Sequence, residues 1–311
     1  AKAKTNVKRV VLPEGDESRT IQAAAIIKKE GLAEPVLIGD PEAIAKEASN
    51  LGVNLEGIEI IAPCNSVKFD EYAATLYDLR KAKGVTEEQA KTLVSDPMYF
   101  AVMMVKLGDA DGLVSGAVLT TGDMLRPALQ IIKTAPGVKS VSSVFFMCMP
   151  GQTYIYGDCA INLNPTAEEL AGIALQCDDT AKAFGLPSRV AMLSYSTINS
   201  GKGPDADLVK AATAMVKEAR PEMLVDGPLQ YDAATTPSVG SLKAPNSAVA
   251  GKATVFVFPD LSAGNIGYKI AQRLGGFEAY GPILLGLNAP INDLSRGCNA
   301  EEVYKMAIIT A

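Results

Sequence analysis

The sequence predicts an α/β fold made of two domains with mainly parallel sheets. Short apolar runs alternate with amphipathic helical stretches along the whole chain, and repeated strand–helix–strand order is typical of parallel sheets covered by helices on both faces. The chain has 311 residues, which is more than a single hydrophobic core usually fills. We therefore expect two α/β domains.

The first half of the chain predicts four strands separated by helices. A helix that begins near residue 17 is expected to stop at Gly31, because glycine is common just past helix ends. Pro41 favours the first turn of the next helix. The predicted strands are residues 9–12, 35–39, 58–62 and 111–115. The predicted helices are residues 17–30 and 41–51, two or three helices within 67–107, and one that contains 124–133.

The second half begins with a predicted hairpin of residues 141–147 and 153–156, turned at Pro150-Gly151. Because this hairpin interrupts the alternation, we place the domain boundary just before it. Residues 1–138 with 287–311 then form domain 1, and residues 139–286 form domain 2, which is expected to carry a dimer interface. A capping box at Thr166 and Glu169 predicts a helix over 166–184. Further strands are predicted at 190–194, 223–225, 254–258 and 282–285, with a helix at 264–274.

The composition excludes several classes of protein. There is no histidine, which excludes Ser-His-Asp and Cys-His hydrolases and His-ligated zinc sites. The five cysteines are scattered without a C-x-x-C pair, which indicates reduced thiols rather than a disulfide framework or a Cys-rich metal site. The net charge of −6 without a basic block argues against nucleic-acid binding. The first apolar run is too short for a signal peptide or a membrane span, so we expect a cytoplasmic protein.

Residues 290–302 place a hydroxyl, a guanidinium, a thiol and two carboxylates at a loop-to-helix junction. Backbone N–H groups at such a junction attract anions, and the planar fork of Arg296 suits phosphate. The same stretch also predicts a capping box between Asn299 and Glu302. The segment therefore predicts either an anion site or a simple helix start.

A second junction follows the predicted strand at 111–115. Ser115, Thr120 and Thr121 bring hydroxyls and small neighbours to a helix start, and Arg126 lies one turn further on. These features predict an anion-binding loop, although the Walker A pattern is absent. The alternative is ordinary capping of the helix by Thr120 or Thr121.

Three further residues, in two segments, are candidates for binding an anionic substrate. Tyr268 and Lys269 lie in the first turn of the helix that follows the strand at 254–258, and the alternative is a capped helix with Lys269 on its solvated face. Arg80 lies at the end of a predicted helix, where the helix dipole also favours a cation without any ligand.

Taken together, these segments are similar to the phosphate acetyltransferase (phosphotransacetylase) family in its short, single-module form. The resemblance runs essentially from end to end and is carried most specifically by the Ser295-Arg296-Gly297 and Arg126-Pro127 elements. The segments that carry it are residues 11–19, 109–115, 120–123, 126–134, 156–162, 259–274, 281–284 and 292–298.

The resemblance implies a function and an architecture. The reaction would be reversible transfer of an acetyl group between acetyl phosphate and coenzyme A, releasing or consuming inorganic phosphate. The coenzyme A thiolate would attack acetyl phosphate directly in a ternary complex, with coenzyme A as a substrate and no added cofactor or metal. The fold would resemble isocitrate and isopropylmalate dehydrogenases, with the substrates in a cleft between the two domains, and the enzyme would be a homodimer.

The resemblance also implies roles for individual residues. Ser295 would orient the thiol or the reacting carbonyl, and Arg296 would hold the phosphoryl oxygens. Glu302 would accept the thiol proton, with Glu301 as a weaker candidate. The expected substrate-binding residues are Arg80, Ser115, Thr120, Thr121, Arg126, Tyr268 and Lys269. The chain departs from the family at two positions, since Glu302 stands where Asp is usual and Leu119 where His is frequent.

Three alternatives remain from the sequence. A phosphate butyryltransferase would share most of the motifs, and a catalytically inert domain that senses acyl-CoA would share the fold, as in some malic enzymes. A metal-dependent decarboxylating dehydrogenase would also share the fold but needs an acidic metal cluster, and none stands out. Because Arg126, Ser295 and Arg296 are all present, we favour the acetyltransferase.

Overall fold

A computed structural model describes residues 2–311. Within them the chain forms short strands and longer helices in alternation, as the sequence predicts. The strands are β1 (Arg9–Leu12), β2 (Glu34–Ile38), β3 (Glu59–Ile61), β4 (Gly112–Val114), β5 (Ser142–Met149), β6 (Gln152–Gly157), β7 (Val190–Leu193), β8 (Val225–Leu229), β9 (Val255–Val257), β10 (Glu278–Leu285) and β11 (Ile291–Asn292).

The α-helices in the same residues follow or precede these strands, and none is long and apolar enough to span a bilayer. They are α1 (Lys2–Thr5), α2 (Ser18–Glu30), α3 (Pro41–Leu51), α4 (Phe69–Arg80), α5 (Glu87–Val94), α6 (Pro97–Leu107), α7 (Thr121–Pro127), α8 (Ala167–Ala183), α9 (Pro204–Ala219), α10 (Tyr231–Thr235), α11 (Pro237–Lys243), α12 (Leu261–Arg273) and α13 (Ala300–Thr310).

The chain divides into two compact units, one of residues up to 136 together with 287–311 and the other of residues 137–286. The boundaries expected from the sequence, 138/139 and 286/287, lie within two residues of these. The last strand and helix therefore belong to the same unit as the first ones.

The sheet of the first unit has five strands in the order β11-β4-β1-β2-β3, all parallel. Val10, Val11 and Leu12 of β1 are at most 1% exposed, because helices cover both faces of a parallel sheet. Since the strands are parallel, the loops after β1, β4 and β11 emerge side by side at one edge, which is where α/β sheets bind ligands.

The sheet of the second unit is mixed, in the order β10-β5-β6-β9-β7-β8. The predicted hairpin forms β5 and β6, and β10 adds to β5 as a third antiparallel strand. The remaining strands are parallel. Its core contains stacked and edge-on aromatic rings, among them Phe145, Tyr156 and Phe256. The α/β prediction with mainly parallel sheets is confirmed.

Some local predictions were wrong or incomplete. The strand expected at 223–225 begins only at Val225, as β8. The helix expected to contain 124–133 is α7 followed by a π-helical turn at Ala128–Ile132. Pro127 lacks an N–H group and therefore interrupts the regular i to i−4 hydrogen bonds of the α-helix. The sequence interpretation also missed α1, α9, α10 and α11, and the helix expected at 264–274 begins earlier, at Leu261. It missed the strand β11 as well, whose two residues are too short to show a period.

Candidate active site

The candidate site of the first unit lies where β1, β4 and β11 end. The residues that follow these adjacent strands are Pro13-Glu14, Ser115-Gly116 and Asp293-Leu294. The register of β11 with β4 pairs Asn292 with Val114, so the next residues, Asp293 and Ser115, leave the sheet together. The candidate residues Ser295, Thr120 and Thr121 lie on the two loops that start here.

The loop after β4 is held by the carboxylate of Glu14. The Oε2 atom accepts the N–H groups of Gly116 and Ala117 at 3.0 and 2.9 Å. The Oε1 atom accepts those of Val118 and Leu119 at 2.9 and 2.7 Å. The backbone amides of the loop that was predicted to bind an anion therefore bind a carboxylate of the chain itself, and Glu14 is only 8% exposed. This part of the anion-site prediction was wrong.

Asp293 is buried beside the same loop. The Thr121 hydroxyl donates to its Oδ2 at 2.6 Å, whereas its Oδ1 has no hydrogen-bond partner among residues 2–311. Burial raises the pKa of Asp293 to about 6. Gly116 has a φ of 109°, and a Cβ atom there would lie 2.2 Å from the Asp293 Oδ1 atom. Only glycine therefore fits at position 116.

Ser115 was predicted to bind substrate, but it is fully buried, and its hydroxyl has no partner among the described residues. A substrate cannot reach this side chain in the present conformation. Thr121 is engaged by Asp293, and Thr120 caps α7 by accepting the Asp123 N–H at 3.2 Å. The capping interpretation of Thr120 is confirmed, and its role in substrate binding stays a prediction.

Ser295 and Arg296 lie in an exposed tight turn, which we call the 295–298 turn. The Cys298 N–H donates to the Ser295 carbonyl at 2.8 Å, and the Gly297 N–H donates to Ser295 Oγ at 3.3 Å. The Arg296 side chain is exposed. The turn thus presents a hydroxyl and a guanidinium to solvent, as a phosphate-binding site requires.

Arg19, at the second position of α2, binds both loops. Its Nη1 donates to the carbonyls of Arg296 and Cys298 at 2.9 Å each, and its Nη2 donates to the Ala117 carbonyl at 2.8 Å. Its Nε donates to Glu17 at 2.6 Å. No function was predicted for Arg19 from the sequence. The signal was its place in Pro13-Glu14-Gly15-Asp16-Glu17-Ser18-Arg19, directly after a strand end.

Cys298 does not resemble a nucleophile. Its thiol is 6% exposed, and burial raises its pKa to about 11, although the Arg19 charge opposes this. A thiol with that pKa is almost entirely protonated at neutral pH, and the thiolate is the reactive form. The burial and the raised pKa therefore argue against Cys298 as a covalent nucleophile.

Glu302 forms the predicted capping box with Asn299. The Glu302 N–H donates to Asn299 Oδ1 at 2.9 Å, and the Asn299 N–H donates to Glu302 Oε2 at 3.0 Å. The capping interpretation is confirmed. The role of Glu302 as a base stays a prediction, and Glu301 is paired with Lys305 at 2.8 Å.

Arg80 and Arg126 both lie near the phenol of Tyr99. Burial raises the pKa of Tyr99, and the charges of these two guanidinium groups oppose that rise. The Arg126 side chain is 65% exposed, with Nη2 3.7 Å from an oxygen of Asp123. The Nε atom of Arg80 is buried without a partner among residues 2–311. The fold thus brings two of the predicted anion-binding arginines into one region.

The two candidates of the second unit differ from each other. The ring of Tyr268 is buried and stacked on Phe145, with ring centroids 4.0 Å apart, so it packs in the core. Lys269 is exposed, donates to Asn265 at 2.5 Å and lies over the Tyr268 ring. Their binding roles stay predictions. Within residues 2–311, no group of three or more Cys, Asp and Glu side chains could hold a metal ion.

Comparison with known proteins gives a consistent result. The profile of the phosphate acetyl/butaryl transferase family matches residues 1–311. The phosphate acetyltransferase of Deinococcus radiodurans is 55% identical over 311 residues, which are all of this chain and 44% of that protein. A phosphotransacetylase structure from Streptococcus pyogenes has a TM-score of 0.93 and 50% identity, and covers 99% of this chain and 94% of that one.

A more distant structure agrees with the expected fold. A 4-hydroxythreonine-4-phosphate dehydrogenase from Burkholderia phymatum has a TM-score of 0.55 at 12% identity, and covers 98% of this chain and 99% of that one. At that identity the likeness concerns the fold alone. The chain spans less than half the length of the curated relatives it matches.

Proposed function

Because the chain belongs to the phosphate acetyl/butaryl transferase family, we propose that it transfers an acetyl group reversibly between acetyl phosphate and coenzyme A. The observation that carries this proposal is the exposed 295–298 turn, with its hydroxyl and guanidinium at the carboxyl ends of adjacent parallel strands. The identity of about half of all residues to phosphate acetyltransferases supports it. We further propose that coenzyme A is a substrate and that no added cofactor or metal is needed.

Acetyl phosphate is already activated, so the enzyme has chiefly to align the reactants and stabilise charge. Arg296 would bind the phosphoryl oxygens with its planar fork, and Arg126 and Arg80 would add positive charge for phosphate or coenzyme A. Ser295 would donate to the reacting carbonyl or orient the thiol. The thiolate sulfur would bond to the acetyl carbon while the bond from that carbon to the phosphate oxygen breaks.

The proton of the thiol needs an acceptor. Glu302 lies seven residues after Ser295 and is our candidate, although a free thiol has a pKa near ~8.5 and a glutamate near ~4.3. An unperturbed glutamate is therefore a weak base for this proton. The positive charge of the arginines would lower the pKa of the bound thiol and narrow this gap.

We also propose a cytoplasmic homodimer that associates through residues 139–286. Support comes from α12 and its C-cap residue, because the apolar side chains of Ile266, Ile270 and Leu274 are 54–86% exposed. Contiguous exposed apolar surface of this kind is typical of protein–protein contacts. Sedimentation of the purified chain would test the oligomeric state.

The catalytic proposal is tested by thiol consumption with coenzyme A and acetyl, propionyl or butyryl phosphate, without added metal. We expect the highest kcat/KM with acetyl phosphate. If butyryl phosphate has the higher kcat/KM, the chain is a phosphate butyryltransferase. Binding of acetyl-CoA without turnover of any acyl phosphate would instead identify an inert acyl-CoA-sensing domain.

A further inference from the structure

Arg19 is the residue through which α2 contacts both loops of the candidate site. Three of its hydrogen bonds go to backbone carbonyls, those of Arg296 and Cys298 in the 295–298 turn and that of Ala117 in the loop after β4. The turn lies 277–279 residues further along the chain. One side chain therefore connects the loops that follow two adjacent strands.

The guanidinium itself is held in place. Glu17 accepts Arg19 Nε through Oε1 at 2.6 Å. Through Oε2 it accepts the N–H groups of Arg19 and Thr20 at 2.7 and 3.1 Å. Glu17 thus caps α2 and fixes the plane of the fork at the same time. Because the guanidinium group is planar and rigid, its acceptors are held at set positions relative to the start of α2.

The 295–298 turn has few hydrogen bonds of its own besides those that it receives from Arg19. Its residues Ser295, Arg296 and Gly297 are exposed, and its internal hydrogen bonds both involve Ser295. On the other side it continues into the capping box of α13. The two carbonyls bound by Arg19 lie between Ser295 and that helix, so these hydrogen bonds fix the backbone of the turn next to Ser295.

We propose that Arg19 is a positioning residue of the transfer reaction, which holds the 295–298 turn so that Ser295 and Arg296 meet the acyl phosphate. The proposal rests on the proposed function. Arg19 itself donates to three backbone carbonyls and to Glu17, so it would act on the reaction through the turn. A lysine would keep the charge but lose the planar fork, so it could not bind the two loops in the same geometry.

Arg19→Lys is the first test, with Arg9→Lys as its matched control. Arg9 begins β1 at the opposite end of the same sheet and donates to Glu59. We expect Arg19→Lys to lower kcat/KM for acetyl phosphate roughly 10²-fold, because small displacements of aligned groups cost this much, while the KM for coenzyme A changes little. Arg9→Lys is expected to keep wild-type kinetics. Wild-type kinetics in a folded Arg19→Lys protein would overturn the proposal.

Alkylation of Cys298 gives a second readout that needs no activity. Arg19 Nη1 lies 3.6 Å from the buried Cys298 Sγ, so release of the turn would expose this thiol. Iodoacetamide labelling followed by peptide mapping should show faster modification of Cys298 in Arg19→Lys than in the wild type. The exposed Cys64 serves as an internal reference that reacts in both. Unchanged labelling of Cys298 would contradict the proposal that Arg19 holds the 295–298 turn in place, a contact that we call the Arg19 tether.

Glu17→Gln tests the same tether if Arg19→Lys does not fold. A single amide oxygen cannot accept both the α2 amides and Arg19 Nε, so we expect a smaller loss of kcat/KM in the same direction and faster Cys298 labelling. If the wild-type protein shows no acetyl transfer, the proposed function is refuted, but the Cys298 labelling rates still test the Arg19 tether. If Cys298 is labelled equally fast in the wild type, Arg19→Lys and Glu17→Gln, the tether is refuted and the proposed function is unaffected.

Discussion

Glu14 and Glu302 both bind backbone N–H groups beside the candidate site, but they do so in different ways. Glu14 is nearly buried and accepts four N–H groups that lie 102–105 residues away in sequence. Glu302 is partly exposed and uses Oε2 to close a capping box three residues away. Both oxygens of Glu14 are bound to backbone amides, whereas the capping box of Glu302 uses only Oε2.

The difference shows which groups are left for the substrate. A helix start can bind an anion through its amides, but Glu14 already occupies the amides after β4. Under the proposed function, phosphate recognition in the first unit would then fall to side chains, above all the exposed guanidinium groups of Arg296 and Arg126. The same substitution, Glu to Gln, should therefore have opposite consequences at positions 14 and 302.

The largest effect is expected for Glu302→Gln. If Glu302 accepts the thiol proton, glutamine keeps the capping box but removes the base, and kcat should fall about 10²–10⁴-fold. Thermal unfolding should change little, since glutamine also closes a capping box. Steady-state kinetics and a thermal melting curve, measured on one preparation of Glu302→Gln, give kcat and the unfolding midpoint.

The companion variant is Glu302→Asp, which introduces the residue usual in the family and is expected to stay active. Full activity of a normally stable Glu302→Gln protein would leave only the capping role. The search for a base would then move to Glu301 or to solvent.

Glu14→Gln is expected to destabilise the first unit by about 3 kcal/mol, because hydrogen bonds to a charged acceptor are lost and the new NH₂ group faces backbone donors. Its control is Asp260→Asn, at the N-cap of α12 in the second unit. Asparagine caps helices as well as aspartate does, so that change should cost less than about 0.5 kcal/mol. Urea unfolding of Glu14→Gln and Asp260→Asn compares their free energies of unfolding. Equal unfolding midpoints would contradict the proposal that Glu14 stabilises the loop after β4.

Asp293→Asn tests how the buried carboxyl of Asp293, between the loops after β4 and β11, makes stability depend on pH. The folded pKa of Asp293 is about 6 and its reference value is 3.8, so the folded protein binds this proton more tightly than the unfolded chain. The stabilisation that comes from the protonated Asp293 carboxyl is fully present below about pH 3.8 and is lost as the pH rises through about 6. Across that window the wild type should lose up to about 3 kcal/mol relative to Asp293→Asn. Parallel stability curves between pH 4 and 7 would refute this.

Arg296→Lys should have the smallest of these effects. Lysine keeps the charge but loses the two-point fork, so activity should fall at least roughly tenfold, or about 1.4 kcal/mol of transition-state stabilisation. The KM for phosphate in the reverse reaction should rise as well. Unchanged kinetics together with unchanged phosphate affinity would remove Arg296 from the site.

The sequence determined the parts of this protein that depend on neighbours along the chain. The alternation of strands and helices, the bounds of α3 at Pro41–Leu51 and the capping boxes at Thr166 and Asn299 all agree with the structure. Each of these features is decided within one or two turns of chain, by residue types whose local preferences are known. The family resemblance, which the comparisons confirm, also pointed to the 295–298 turn.

Only the tertiary structure decided which distant groups meet. Whether the amides of residues 116–119 bind a substrate or Glu14 depends on β1 lying beside β4. The contact of Arg19 with the 295–298 turn depends likewise on β11 completing the same sheet edge. Local propensity carries no information about partners more than 100 residues apart, because their meeting is set by strand order and register rather than by the residues between them.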